Sequence, residues 1–268
     1  MTRITVTSDI HFGITKPDVV EGLVRGISSL KPDAVAVAGD VGEPLQNFSA
    51  ALDALLQLGV PTAIVLGNHD VWNRNRQIPS WELWELRLPE EIMKRGFAYL
   101  ERETLLVDDI AIAGTIAWYD YSAASPSQPC EIEEYTRRKR EFCGDALFTD
   151  WPWDDLHFCK MIEGPFMERL NAAQRDRDVK SILVITHSPI FDEQIVRKPG
   201  DEKWSFSNAY YGNLTFGESV RKFGKVRHVV SGHSHAGCQG VVKGDFGEII
   251  VTTLDSQYGK PVFITLEF

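Results

Sequence analysis

The chain has 268 residues, 43% of them hydrophobic and 25% charged, and a formal net charge of -10. That length suits one large domain or one domain with an insertion, and the apolar fraction can build a substantial core. The acidic balance argues against a protein that grips nucleic acid through a basic surface, but leaves a nuclease open, because bound divalent cations offset local negative charge.

The first seventy residues alternate between two periods. Ile4 to Ser8 reads as a strand. Pro17 to Leu30 carries Val20, Leu23, Val24 and Ile27 at helical spacing, and Pro17 is tolerated in a first turn. Ala34 to Ala38 is a short apolar strand, Gln46 to Leu58 an amphipathic helix stopped by Gly59 and Pro61, and Thr62 to Leu66 a third strand. Such alternation predicts parallel βαβ units, in which ligands bind beyond the carboxyl ends of the strands.

Residues 71 to 180 interrupt the pattern. Ser80 to Arg95 reads as a helix with Trp81, Trp84 and Leu88 on one face. Thr104 to Val107 and Ile110 to Ala113 read as strands around an Asp108-Asp109 turn. Glu131 to Phe142 is a charge-dense helix with a solvated face, and Gly164-Pro165 opens a helix towards Arg177. This stretch holds six of the seven tryptophans, which read as core. Alternation then resumes with a strand at Ser181 to Thr186, a helix at Phe216 to Phe223 and a strand at His228 to Ser231. A hairpin follows (Val241 to Lys243, Glu248 to Thr252), and Val262 to Phe268 is a last strand. No run is long enough to span a membrane, and no signal-peptide core precedes the first strand. Cys130, Cys143, Cys159 and Cys238 lack CxxC spacing and read as reduced thiols of a cytoplasmic protein.

Five of the seven histidines fall in clusters that follow the strand-like runs: Asp9-Ile10-His11, Gly39-Asp40, Gly67-Asn68-His69-Asp70, His187 and Gly232-His233-Ser234-His235. Imidazoles and carboxylates gathered at strand ends are what a two-metal hydrolytic site needs. His157 and His228 lie outside the clusters and read as structural or solvent-facing. Cys238 reads as packing, since thiolate is a poor ligand for hard ions.

The ordered set DxH, GDxxE, GNHD, H and GHxH resembles the calcineurin-like metallophosphoesterase superfamily. The resemblance covers residues 1–75 and about 180–268. It implies an α/β fold: a two-sheet β-sandwich flanked by helices in four layers. It also implies one domain over 1–268, with 71–180 inserted over the active-site rim. It assigns Asp9, His11, Asp40 and His235 to one ion and Asp40, Asn68, His187 and His233 to another, with Asp40 as the bridge. The implied nucleophile is a metal-bound hydroxide. His69 is implied as the acid or transition-state stabiliser, and Asp70 as the group that orients its ring. Gly39, Gly67 and Gly232 are expected to let the backbone turn sharply. Nitrogen and oxygen ligands without thiolate suit Mn²⁺ or Fe²⁺ and are compatible with Zn²⁺, Co²⁺ and Ni²⁺.

Departures from the family's patterns narrow the choice. Val41-Gly42-Glu43 lacks the GDxVDRG arginine of the Ser/Thr protein phosphatases, and Leu66 and Asp70 depart from their RGNHE. Glu43 stands where purple acid phosphatases carry a tyrosine ligand, and is expected to be structural or to act behind the ligands. What remains resembles the prokaryote-type phosphodiesterase branch. The expected activity is hydrolysis of a phosphodiester or phosphomonoester in a small molecule or nucleotide. A metal-dependent nuclease and a non-catalytic scaffold are the alternatives. Trp72, Arg74 and Arg76 follow His69 closely, and Tyr119, Asp120 and Tyr121 follow a strand. Trp72, Arg74, Arg76, Tyr119 and Tyr121 are therefore candidates to contact substrate.

Overall fold

A computed structural model describes residues 1–268. Its strands are β1 (Arg3–Thr7), β2 (Ala34–Ala38), β3 (Thr62–Val65), β4 (Ala98–Tyr99), β5 (Leu105–Val107), β6 (Ile110–Thr115), β7 (Ser181–Thr186), β8 (Val226–Ser231), β9 (Cys238–Gly244), β10 (Gly247–Thr253) and β11 (Phe263–Glu267). Its α-helices are α1 (Pro17–Ser29), α2 (Leu45–Leu56), α3 (Ser80–Glu82), α4 (Leu88–Met93), α5 (Ile132–Phe142), α6 (Asp145–Phe148), α7 (Asp155–Arg175), α8 (Glu202–Ser207) and α9 (Leu214–Val220). One sheet has the order β11-β1-β2-β3-β4, the other β5-β6-β7-β8-β10-β9. β1 to β4 run parallel, as do β6, β7, β8 and β10; β11, β5 and β9 are antiparallel edges.

The sequence period of 2 explains the layers. In β2, Ala34, Ala36 and Ala38 join Ile4, Val6, Ala63 and Val65 in the layer between the sheets, where they meet Ile112, Leu183, Ile185 and Val230. Val35 and Val37 face the other way, into the core that also holds Val20, Leu23, Ile27, Phe48, Leu52 and Leu55 from α1 and α2. Both faces of β2 are therefore covered, which is why it reads as an unbroken apolar run. The result is the expected α/β architecture of two packed sheets flanked by helices.

Two expectations for the middle of the chain need correction. β4, β5 and β6 lie inside the segment read as an insertion, yet they belong to the two sheets. Residues 98–115 are therefore part of the two sheets. The two-residue β4 leaves almost no periodic signal. Helix α7 begins at Asp155, not at Gly164-Pro165. Asp154 caps it by accepting from the His157 N–H, and Pro165 sits inside it. An interior proline costs about 3 kcal/mol. The stripe Phe158, Ile162, Phe166 and Leu170 is buried along this helix, and each such side chain contributes roughly 1.5–3 kcal/mol. The stripe outweighs the proline.

The helix expected at Ser80 to Arg95 is present but widens into a π-turn at Leu83–Arg87, just before Pro89, which cannot donate a backbone bond. The shift leaves Trp81 41% exposed while Trp84 and Leu88 stay buried, so Trp81 does not share their face. No helix is long and apolar enough to cross a membrane.

Glu101 makes a pH-dependent contribution to this core. Burial raises its carboxyl to about 7, against the pull of Arg169 and the Ile116 N–H. The folded chain thus holds a proton that the unfolded chain, with its ordinary value of 4.5, has released. The group's stabilising contribution is complete below about 4.5 and is lost as pH rises through about 7. Thermal melting of Glu101→Gln beside the parent should show the variant gaining relative stability from pH 5 to pH 8. Parallel melting profiles would remove Glu101 as the cause.

Candidate metal centre

The five clusters converge at the carboxyl ends of β1, β2, β3, β7 and β8, where the two sheets meet. Backbone bonds lace the loops together: the Asp9 N–H donates to the Gly39 carbonyl at 3.0 Å, His11 N–H to the Asp40 carbonyl at 2.9 Å and Gly232 N–H to the His187 carbonyl at 3.0 Å. Asp9, His11, Asp40, His233 and His235 all adopt positive φ, between 46° and 72°. A non-glycine residue holds that conformation only where its surroundings enforce it, and such strain gathers at functional sites.

The donor atoms lie close together. Asp9, His11 and His235 form one group of potential ligands, Asp9, Asp40 and His187 another, and His11, Asp40 and His69 a third, with donor atoms within 4.8 Å of one another in each. His11 Nε2 is 3.5 Å from Asp40 Oδ2, and His187 Nε2 is 3.5 Å from Asp40 Oδ1. Asp40 thus stands between the two histidines. Asn68 Oδ1 lies 2.9 Å from His187 Nε2 and 3.1 Å from His233 Nδ1.

The protonation of these rings follows from their other nitrogens. His187 Nδ1 bonds the Ala38 carbonyl, His233 Nε2 the Tyr210 carbonyl and His235 Nδ1 the Ser256 carbonyl. A carbonyl only accepts, so each of those nitrogens carries the proton and the opposite one presents a lone pair. Burial holds the His11 imidazole down to about 2 and His187 well below its ordinary value, so both are neutral. The Asn68 amide is oriented by its Nδ2, which donates to Asp145 Oδ1 at 2.8 Å. Its oxygen therefore faces two imidazole lone pairs with no proton between them. Both ring nitrogens of His11 are buried without a partner. Burial, reinforced by Asp70 and Asp9, pushes the Asp40 carboxyl well above the usual range. Converging lone pairs and crowded carboxylates make a donor set that fits divalent metal ions.

Three glycines serve close approach more than turning. Only Gly39 has positive φ, at 85°, and a Cβ there would meet His187 Nδ1 at 2.4 Å. At Gly67 a Cβ would meet Asp40 Oδ1 at 2.1 Å, and at Gly232 Asp9 Oδ2 at 2.3 Å. The expectation of sharp turns at Gly67 and Gly232 gives way to one of side-chain room.

Asp70 does not orient His69. Its carboxylate accepts from the N–H groups of Gly42 at 2.9 Å and Gly67 at 2.8 Å, so it ties two ligand loops together. The group beside the His69 ring is Glu43, with Oε1 3.4 Å from Nδ1. Trp72 stacks on the other side, with ring centroids 3.5 Å apart.

The substrate candidates separate. Arg74 bonds Glu43 at 2.9 Å, packs over Trp72 and Phe148, and keeps its side chain 46% exposed at the mouth. Arg76 is solvent-exposed and forms no ion pair. Trp72 is buried behind His69. Tyr119 and Tyr121 are also buried, and their hydroxyls donate to Asp145 and Asp155. Their expected place in the cleft is therefore corrected: a buried carboxylate claims each hydroxyl. Tyr121 instead lines a cavity of about 820 Å³ with Trp151, Trp153, Lys139 and Asp145. His157 is exposed and His228 packs on Phe268.

Sequence reasoning missed Tyr258. Its ring lies 4.7 Å from that of His11 and 4.6 Å from that of His235, and its hydroxyl is 3.5 Å from His69 Nε2. Burial, together with Asp40 and Asp9, raises its phenol to about 12. No motif marks it, because it sits on a loop after the last ligand cluster.

The calcineurin-like phosphoesterase profile matches residues 2–237, and the chain belongs to that family. The phosphopantetheinyl hydrolase of Mycobacterium tuberculosis superposes with a TM-score of 0.70 at 18% identity, over 96% of this chain and 90% of that one. A dimetal phosphatase from Danio rerio superposes with a TM-score of 0.52 at 13% identity, over 98% of this chain and 91% of that one. At such identities the likeness is one of fold. No curated protein matches the sequence.

Gly67→Ala tests the crowding at Asp40. Calorimetric titration of the metal-stripped variant with Mn²⁺ should show affinity weakened about tenfold or more, as when a ligand's support is disturbed. Unchanged affinity would mean that the loop yields freely.

Proposed function

We propose that this phosphoesterase hydrolyses a phosphodiester or phosphomonoester of a small molecule or nucleotide, using two divalent ions held by these residues. The observation that carries the reading is the convergence of unprotonated imidazole nitrogens on the Asn68 oxygen and on Asp40. Asp9, His11, Asp40 and His235 would hold one ion, and Asp40, Asn68, His187 and His233 the other. Ions bound there supply positive charge for the phosphoryl oxygens and lower the pKa of water towards 7. Mn²⁺ or Fe²⁺ suits the ligand set best. The four unpaired cysteines support a cytoplasmic setting.

The remaining residues act on the substrate. His69 stands at the cluster without belonging to either ligand set, and it delivers a proton to the departing oxygen. Glu43, at 3.4 Å, holds the ring. Arg74 offers exposed N–H groups to an anionic substrate from the same side. Tyr258 lies beside His11, His235 and His69.

The direct test is hydrolysis of bis-p-nitrophenyl phosphate beside p-nitrophenyl phosphate by metal-stripped protein reloaded with Mn²⁺, with Asp40→Asn as control. Metal-dependent cleavage lost in the variant is expected. Cleavage of the monoester alone would restrict the enzyme to monoesters, and cleavage of neither, with two ions bound, would favour a scaffold. Cleavage of single-stranded DNA with steep salt dependence would favour the nuclease reading.

His69→Ala should keep both ions and lose roughly 10²–10⁴ in turnover; loss of metal would refute the role given to His69. Glu43→Gln should lower kcat about tenfold or more at unchanged Mn²⁺ stoichiometry. A kcat equal to the parent's would remove Glu43 from the reaction.

A further inference from the structure

Asp145 belongs to no motif and lies 77 residues beyond Asn68 in sequence. It is 1% exposed, and all its strong partners are donors. Its Oδ1 accepts from Asn68 Nδ2 at 2.8 Å and from the Trp72 indole N–H at 2.6 Å. Its Oδ2 accepts from the Tyr119 hydroxyl at 2.8 Å and the Cys143 thiol at 3.1 Å. Burial opposes its ionisation, but the charge of Lys139 and the bonds from Asn68 and Cys143 keep the carboxyl below its ordinary value.

One oxygen of Asp145 thus touches two parts of the centre. Through Asn68 it decides which end of the amide faces His187 and His233. An amide can turn over at little intrinsic cost, and the turned form would point N–H groups at the ion. Through Trp72 it fixes the indole that lies against the His69 ring at 3.5 Å. We infer that Asp145 is a positioning residue that sets Asn68 as a metal ligand and, by way of Trp72, sets His69 for proton delivery. The inference rests on reading the cluster as a two-metal centre.

The choice of substitution follows from the donors. In Asp145→Asn the side-chain oxygen still accepts from Asn68 and Trp72, while the new amide N–H donates to the Tyr119 oxygen. The geometry survives without the charge. In Asp145→Ala both anchors vanish. Trp72→Phe removes the indole N–H but keeps an aromatic ring against His69, so it separates the two branches.

The experiment is calorimetric titration of the metal-stripped full chain with Mn²⁺, with kcat measured beside it and melting curves to establish folding. Asp145→Ala should bind one of two ions about 10–100-fold more weakly, and Asp145→Asn should stay within about threefold of the parent. Trp72→Phe should leave both affinities unchanged and lower kcat. A folded Asp145→Ala that binds both ions as the parent does overturns the inference. If Asp145→Ala does not fold, Asn68→Asp decides. That change sets two carboxylates 2.8 Å apart, and its weakened Mn²⁺ binding should recover when Asp145→Asn is added. Absence of recovery overturns the inference. A parent chain that binds no Mn²⁺ overturns the two-metal reading and, with it, this one, so the two failures are distinguishable.

Discussion

Everything at the top of this sandwich is organised around an electrostatic deficit. Asp9, Asp40 and Asp70 are buried within one small volume, and burial holds the imidazoles of His11 and His187 neutral beside them. Isolated charges are expensive in such surroundings unless they are paired or coordinate metal. Asp70 meets the demand with backbone N–H groups from two loops. Asp9 and Asp40 receive backbone N–H bonds but face the histidines with no cation of the chain's own. The fold spends its backbone geometry on this arrangement: five ligand-bearing residues in the left-handed region, and glycines where any side chain would strike a ligand.

The supports behind the ligands divide the labour. Backbone carbonyls of Ala38, Tyr210 and Ser256 set the tautomers of three histidines. Carbonyls suit that task because they can only accept, so the proton has one place to go. The amide of Asn68 has two chemically different ends, and a carboxylate is the partner that tells them apart. His69 is treated differently again. It lies between a carboxylate at 3.4 Å and an indole ring. The structure thus holds three histidines through backbone carbonyls and His69 through side chains.

Much of this was legible in the sequence, and the reasons are local. The strands β1, β2, β3 and β7 carry strong apolar runs, and each hands its chain to a short polar cluster, so both element and ligand could be read together. The unread parts depend on contacts between distant segments. Asp145 meets Asn68 across 77 residues, and Tyr258 meets His69 across 189. Nothing in the sequence around Cys143-Gly144-Asp145 marks a support for a metal ligand. Asp70 was placed beside the His69 ring by the family resemblance, whereas its carboxylate accepts from the backbone amides of Gly42 and Gly67. Tyr119 and Tyr121 were misplaced because a strand end suggested a cleft, while Asp145 and Asp155 draw both hydroxyls inward.

The division of the ligands between the two sheets has a consequence for biosynthesis. The carboxylate half of the centre is complete once residue 70 has been made, but its first distant histidine is residue 187 and its last is residue 235. At ribosomal speeds of about 5–20 residues per second, the nascent chain carries Asp9, His11, Asp40 and Asn68 for several seconds before His187, His233 and His235 are made. In that interval the only imidazoles beside these oxygen donors are those of His11 and His69. The full set of buried imidazoles comes together only when the second sheet closes on the first. Assembly of the donor set is in this way deferred to one of the last events in the making of the protein.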